Sequence, residues 1–233
     1  MTGYSHTPHS PLVAGLLRHA PRSAIRFAPV LAMGLTITLL AAFLLAPAIA
    51  RSNEELKIEQ EQLVGRINTY FNRFVYLQGK FTQISPDGVV SDGSFFMRRP
   101  GRVRFDYSPP SRLLVVSDGF WLGIIDKKLK TTDRYPIAST PYWALLKDEV
   151  NLNRDARIIA VETEPGIALI TIEDPTGEAP GEMTLIFEVE GNLILCQWLI
   201  TDAQGLTTSV AISELVENQR VRNDMFVIRD RNR

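Results

Sequence analysis

Arginine crowds the one stretch of this chain where side chains could do concerted chemistry. Arg98, Arg99, Arg102 and Arg104 fall within the heptapeptide RRPGRVR, with no histidine or cysteine near them. A guanidinium offers five fixed donors and keeps its charge, so it can hold an anion or several carbonyl oxygens at once. It does not attack a substrate or relay a proton. The groups that would do so are scarce. His6, His9 and His19 all precede Ala50, and the single cysteine, Cys196, sits in the apolar word LILCQWLI. It reads as a small core residue and rules out an intramolecular disulfide. Asp87, Asp92, Asp118, Asp126 and Asp174 fall at turns or strand ends, where turn preference alone explains them. An enzyme acting on lipids through carboxylates therefore has little support. No catalytic residue, metal site or cofactor is expected.

The N-terminus bears on that conclusion. Residues 1–26 carry Arg18, Arg22 and Arg26 and no acid, and residues 27–50 carry no charge and end Ala48-Ile49-Ala50. A basic region, an apolar core and an A-x-A site describe a secretory leader (residues 1–50) cut after Ala50. The alternative is a retained anchor, since the uncharged run is long enough to cross a bilayer. Cleavage would leave residues 51–233 without histidine, excluding Ser-His and Cys-His pairs and His-ligated metals. It would also leave 22 basic against 26 acidic side chains, a net charge of −4. Such a chain is poorly suited to nucleic acid.

The elements that position the arginines follow from periodicity. Val103, Phe105 and Tyr107 alternate with Arg102, Arg104 and Asp106, which marks a strand with one dry and one wet face. Pro100-Gly101 and Pro109-Pro110 bound it, and Phe95 and Met97 precede the Pro-Gly turn, so the pair reads as a β-hairpin. Arg98, Arg102 and Arg104 then read as a solvated strand face. A helix is expected over residues 54–77, opened by a capping box at Ser52 and Glu55 and striped by Leu56, Leu63, Ile67, Tyr70, Phe71 and Phe74. Strands follow near 79–84, 93–98, 102–107, 112–117, 120–126, 129–133, 156–162, 167–173, 182–189, 193–201 and 206–213, with a short one at 225–228. A short apolar helix over 139–146 interrupts them; it cannot be stable alone and must lie on a hydrophobic surface. The class is mainly β with helices (α+β): one domain, residues 51–233, in which an antiparallel meander curls into a barrel or half-barrel.

Several strands are apolar on both faces. Leu193, Leu195 and Leu199 alternate with Ile194, Cys196, Trp198 and Ile200, and residues 113–116 and 158–161 are uninterrupted. Either a cavity or a filled two-layer sandwich accounts for this.

The words LQGKFTQ, MRRPGRVRFDY, VVSDG and STPYWALL together resemble the outer-membrane lipoprotein carrier family of the LolA type. The specific words lie in residues 78–146; beyond Val150 the likeness is in strand pattern and length. The resemblance implies a curled, incomplete antiparallel β-barrel covered by a helical lid, with a cavity that accepts acyl chains. It implies a periplasmic, monomeric, non-enzymatic chaperone. Its partners would be lipoproteins, an inner-membrane lipoprotein-releasing ABC transporter and an outer-membrane acceptor. The family's lid-holding arginine falls on Arg99, with Arg98 matching the basic residue before it. With the strand alternation, the cavity is expected at Val103, Phe105, Tyr107, Val115, Tyr142, Trp143 and Leu145. The chain departs from the family at Phe120-Trp121-Leu122-Gly123, leaving open which of these points inward. A sensing module of envelope-stress regulators with similar architecture, and a membrane-anchored lipid-binding protein, remain alternatives.

Overall fold

A computed structural model describes residues 34–229, with side chains from residue 53. The leader and its cut after Ala50 lie outside the described side chains. Ser52–Arg233 form one compact unit. Among the described residues no helix is long and apolar enough to cross a membrane.

Alternation of apolar and polar residues, punctuated by turns, produces eleven strands: β1 (Tyr76–Ile84), β2 (Val90–Arg98), β3 (Arg102–Tyr107), β4 (Leu113–Ser117), β5 (Trp121–Asp126), β6 (Thr131–Pro136), β7 (Arg157–Glu164), β8 (Ile167–Glu173), β9 (Glu182–Glu188), β10 (Ile194–Thr201) and β11 (Thr207–Glu217). They form one curled, open antiparallel sheet ordered β6-β5-β4-β3-β2-β1-β11-β10-β9-β8-β7. Two meanders thus meet where β1 pairs β11, with Phe81 opposite Ile212. Helix α1 (Gly34–Asn72) lays Leu63, Ile67, Tyr70 and Phe71 on the inner face, followed by Phe74 just past its end, and Tyr70 and Phe71 meet Phe187 edge-on at 5.6 and 6.1 Å. Between β6 and β7 lie a 3-10 turn (Ile137–Ser139), α2 (Trp143–Leu146) and α3 (Leu152–Asp155).

Several expectations need correction. α1 runs through residues 51–55 without a break, so no capping box opens it at Ser52, and Leu56 is exposed; the buried stripe starts at Leu63. It stops at Asn72 rather than 77, and there the Asn72 side-chain amide turns to Val150, donating to its carbonyl (2.8 Å) and accepting from its N–H (2.9 Å). The helix expected over 139–146 splits around Pro141, which has no N–H to continue it. Residues Asn223–Phe226 form a 3-10 turn, not a strand, with Phe226 buried.

Strict alternation also fails at β-bulges. The pairing of β10 with β9 slips between Leu195 and Gln197, so Leu195 and Trp198, three positions apart, are both buried opposite Phe187 and Leu185. Cys196 is the extra residue and is half-exposed rather than core. A second slip, between Ile158 and Ala160, puts both Ile158 and Val161 on the core while Ile159 is exposed. Both apolar runs are thereby reduced to one inward set.

Candidate functional site

The inner face and α2 enclose a wholly apolar seam. Val103, Phe105, Tyr142 and Leu145 line it, joined by Phe71, Leu77, Phe95, Met97, Leu146, Met183, Leu195, Trp198 and Ile212. Phe105 packs edge-on to Phe81 (5.3 Å) and Trp198 (6.2 Å) and stacks with Phe95 (6.1 Å). Val115 lies directly across from Phe105 and shares its face. Tyr107 also faces this core, its ring 5.0 Å from Phe81 and its hydroxyl donating to Gln83 (2.7 Å), yet neither Tyr107 nor Val115 lines the seam. Trp143 lines a separate small groove with Pro141, Asp155 and Ile172. In β5, Leu122 joins the inner core, whereas Gly123 faces outward beneath Ile228.

The wall residues missed from the sequence come from α1, β1 and β9 to β11, outside the hairpin, and also from β2 and α2 beside the expected ones. Extending the hairpin's parity through the strand register would have reached Phe95, since it pairs with Phe105. The bulge hides Trp198 from any such extension. The space left in the seam is about 30 Å³, room for one or two water molecules. Nothing the size of an acyl chain fits unless α2 moves.

What holds α2 down is unevenly distributed. Its body meets the sheet through Leu145 and Leu146, both buried. Its backbone tie lies at its C-terminal flank: Gly101 N–H donates to the Leu146 carbonyl (2.7 Å), and Ser117 Oγ in turn donates to the Gly101 carbonyl (2.7 Å). Gly101, with φ of +73°, runs so close to Gly119 that a Cβ there would come within 2.8 Å of the Gly119 Cα. The Arg-Pro-Gly and Ser-Asp-Gly turns therefore meet, and glycine is required for both conformation and approach.

Arg99 sits at this junction, only 5% exposed. Its guanidinium donates to Asn72 Oδ1 (3.0 Å) and to the Phe74 carbonyl beyond α1, and at longer range to the carbonyls of Asp148 (3.4 Å) and Lys147 (3.5 Å) beyond α2. All four acceptors are neutral oxygens. Burial lowers the affinity of Arg99 for its proton, offset in part by the Asp148 charge. The firm bonds go to the α1 side; those to the α2 flank lie at the outer limit of hydrogen-bond distance. Below them Asp155, nearly buried, accepts from Lys147 Nζ (2.8 Å), Arg154 and the Asn151 N–H. Burial alone would raise the pKa of its carboxyl, but these donors outweigh it and hold it at about 2.

The opposite face of the same hairpin is covered too. Leu114, Val116 and Ile125 form a small second core closed by Ile228. The segment 218–229 crosses this outer face as a strap: Arg98 donates to Asn223 Oδ1, and Arg104 donates to the Met225 carbonyl (2.8 Å) while bonding Asp106 (2.6 Å). Arg98 and Arg104 are thus structural anchors and not a solvated face; Arg102 reaches only the Pro100 carbonyl (3.4 Å). Among the described residues no cluster of side chains suits a metal ion.

The family model described as "Outer membrane lipoprotein carrier protein LolA" matches residues 73–229. An outer-membrane lipoprotein carrier protein of Methylococcus capsulatus is 30% identical over 64% of this chain and 75% of its own length. Another, from Nitrosomonas europaea, is 26% identical over 70% of this chain and 82% of its own. Among solved structures, a LolA superfamily protein from Nitrosomonas europaea covers 66% of this chain and 89% of its own at 9% identity, with a TM-score of 0.35, too low to bear on the site. With a curled open sheet, a helical cover over an apolar seam, and a family match across both meanders, this chain belongs to the LolA-type outer-membrane lipoprotein carrier family.

Proposed function

We propose that this protein is a periplasmic carrier, freed from its leader after Ala50, which shields the acyl chains of lipoproteins between α2 and the sheet. It would receive them from an inner-membrane lipoprotein-releasing ABC transporter and hand them to an outer-membrane acceptor, without catalysing a reaction. The observation that carries the reading is the seam itself: apolar, nearly filled by its own side chains, and tied at one end by long bonds from Arg99. Each methylene buried stabilises a bound chain by about 0.8 kcal/mol. The lid's own apolar side chains occupy the same surface, so closure competes with cargo and limits affinity. Competition of this kind makes release possible.

Arg99 is the latch in this scheme. Arg99→Leu removes from the closed state the bonds to the Lys147 and Asp148 carbonyls, of a charge-assisted kind worth roughly 1.5–3 kcal/mol at good geometry and less at these distances. Lipoprotein should bind as well or better, and transfer to acceptor-bearing vesicles should fail because re-closure no longer helps expel the chains. The assay loads wild type and variant with one lipoprotein and follows its passage. Efficient transfer by Arg99→Leu would reject the latch.

A further inference from the structure

We propose that the β5–β6 turn and the adjoining strap form a docking face for an anionic phospholipid surface. This is separate from the cargo reading and needs no acyl chain in the seam. The turn reads Lys127-Lys128-Leu129-Lys130, and its apolar residue is 68% exposed. Asp126 fixes the tip by accepting from the N–H groups of Lys128 (2.7 Å) and Leu129 (2.9 Å), and Lys130 takes a left-handed φ of 58°. The turn is therefore a shaped projection.

Beside it a groove of about 400 Å³ runs under the strap, lined by Lys127, Arg222 and Arg229 over an apolar floor of Leu114 and Ile125, with Val227 at its margin. Arg112 adjoins Lys127 along the backbone, its carbonyl accepting from the Lys127 N–H (2.9 Å). The carboxylates close by are few and engaged. Asp106 bonds Arg104 and approaches Lys127 (4.0 Å), Asp224 pairs with Arg222 (3.2 Å), and Asp126 holds the tip. Lys128, Lys130 and Arg229 make no ion pair among the described residues.

A cationic face on a chain that is net acidic from residue 51 onward orients the molecule before contact. Lysines near an anionic leaflet attract it individually, and an apolar residue at the tip can enter the headgroup layer. Such contact is weak and salt-sensitive, which suits a protein that visits a membrane and leaves.

The test uses residues 52–233, a compact unit that carries the whole described core, sedimented with vesicles. Binding is expected to phosphatidylcholine vesicles containing phosphatidylglycerol and not to phosphatidylcholine alone, and it should fall as salt rises. The double variant Lys128→Glu/Lys130→Glu should lower binding roughly thirty-fold or more. The charge-matched pair Lys57→Glu/Arg66→Glu, on exposed positions of α1, should bind as wild type does. Equal losses in both pairs would mean that binding follows net charge only, and the docking face falls. Displacement by inorganic phosphate at matched ionic strength would mean a single-anion site. Retention on polyglutamate without vesicle binding would assign the face to an acidic protein. Either result overturns the lipid surface.

Discussion

The hairpin of β2 and β3 is covered on both faces, by α2 on the inside and by the strap on the outside, and the two covers are built on opposite terms. The inner cover is large, apolar and undirected: its body is held by Leu145 and Leu146 against a wall of aromatic rings, and its backbone ties sit at one end. The outer cover buries one small cluster beneath Ile228 and is pinned along its length by Arg98, Arg104 and Asn218. Apolar contact has no preferred partner geometry, so another apolar surface can replace it at little cost. Hydrogen bonds from fixed guanidinium groups cannot be replaced by an acyl chain, which carries no acceptor. The cover that can be exchanged faces the seam, and the cover that cannot is the strap.

Five substitutions test this contrast, in falling order of effect. Phe105→Glu places a carboxylate among Phe81, Phe95 and Trp198 and should abolish binding of apolar probes, at a stability cost of several kcal/mol. Phe105→Ala, which adds no charge, should cost about 3–5 kcal/mol in denaturant unfolding. Unchanged probe binding by a folded Phe105→Glu protein would place the cavity elsewhere. Asp155 comes next. Its folded carboxyl titrates near 2, below its ordinary value, so the stability it contributes is complete above about pH 5 and is lost as pH falls through 2. Asp155→Asn should lose about 2 kcal/mol at neutral pH and flatten the acid limb of the stability curve. An unaltered limb would mean that the Lys147–Asp155 contact does not anchor the lid flank.

Ile228→Ala should cost less, below about 2 kcal/mol, because its side chain covers only a satellite core. Probe binding should be unaffected; a change there would show that strap and lid are coupled. Arg98→Leu should be smallest, about 1 kcal/mol or less in stability with cargo transfer nearly intact, since it loses the Asn223 bond at a partly exposed site. Transfer as impaired as in Arg99→Leu would erase the distinction between the two faces.

The legible parts of the fold were those where a short-range rule acts alone. The β2–β3 hairpin could be read because Pro100-Gly101 and a period of two settle register locally, and β3 has the expected bounds. Leu195 and Trp198 were misassigned to opposite faces because a bulge depends on the pairing strand, which no local pattern reports. The strap escaped because its one apolar contribution to the outer core, Ile228, shows no period, and because arginines that anchor a backbone look the same in sequence as arginines in water. Seam residues were legible on β3 by alternation and at Tyr142 and Leu145 through the family resemblance, and not elsewhere: Met183 and Ile212 reach the wall only through the order of the sheet. Trp143 was grouped with Tyr142 as adjacent residues of one helix, and adjacency on so short a helix turns the two side chains in different directions.

The junction of β1 with β11 has a consequence for how the molecule is made. The first and last strands are neighbours at the middle of the sheet, Leu77 lying opposite Glu217. A chain that emerges from its N-terminus can build the meander β1 to β6 early, but β1 keeps an open edge until almost the whole length has appeared. Closing that gap is a long-range event, which slows folding and prolongs exposure of an unpaired strand. Loss of the last strand would leave two interior edges bare, each a template for another chain. The domain is therefore most exposed to aggregation during its synthesis, before β11 arrives.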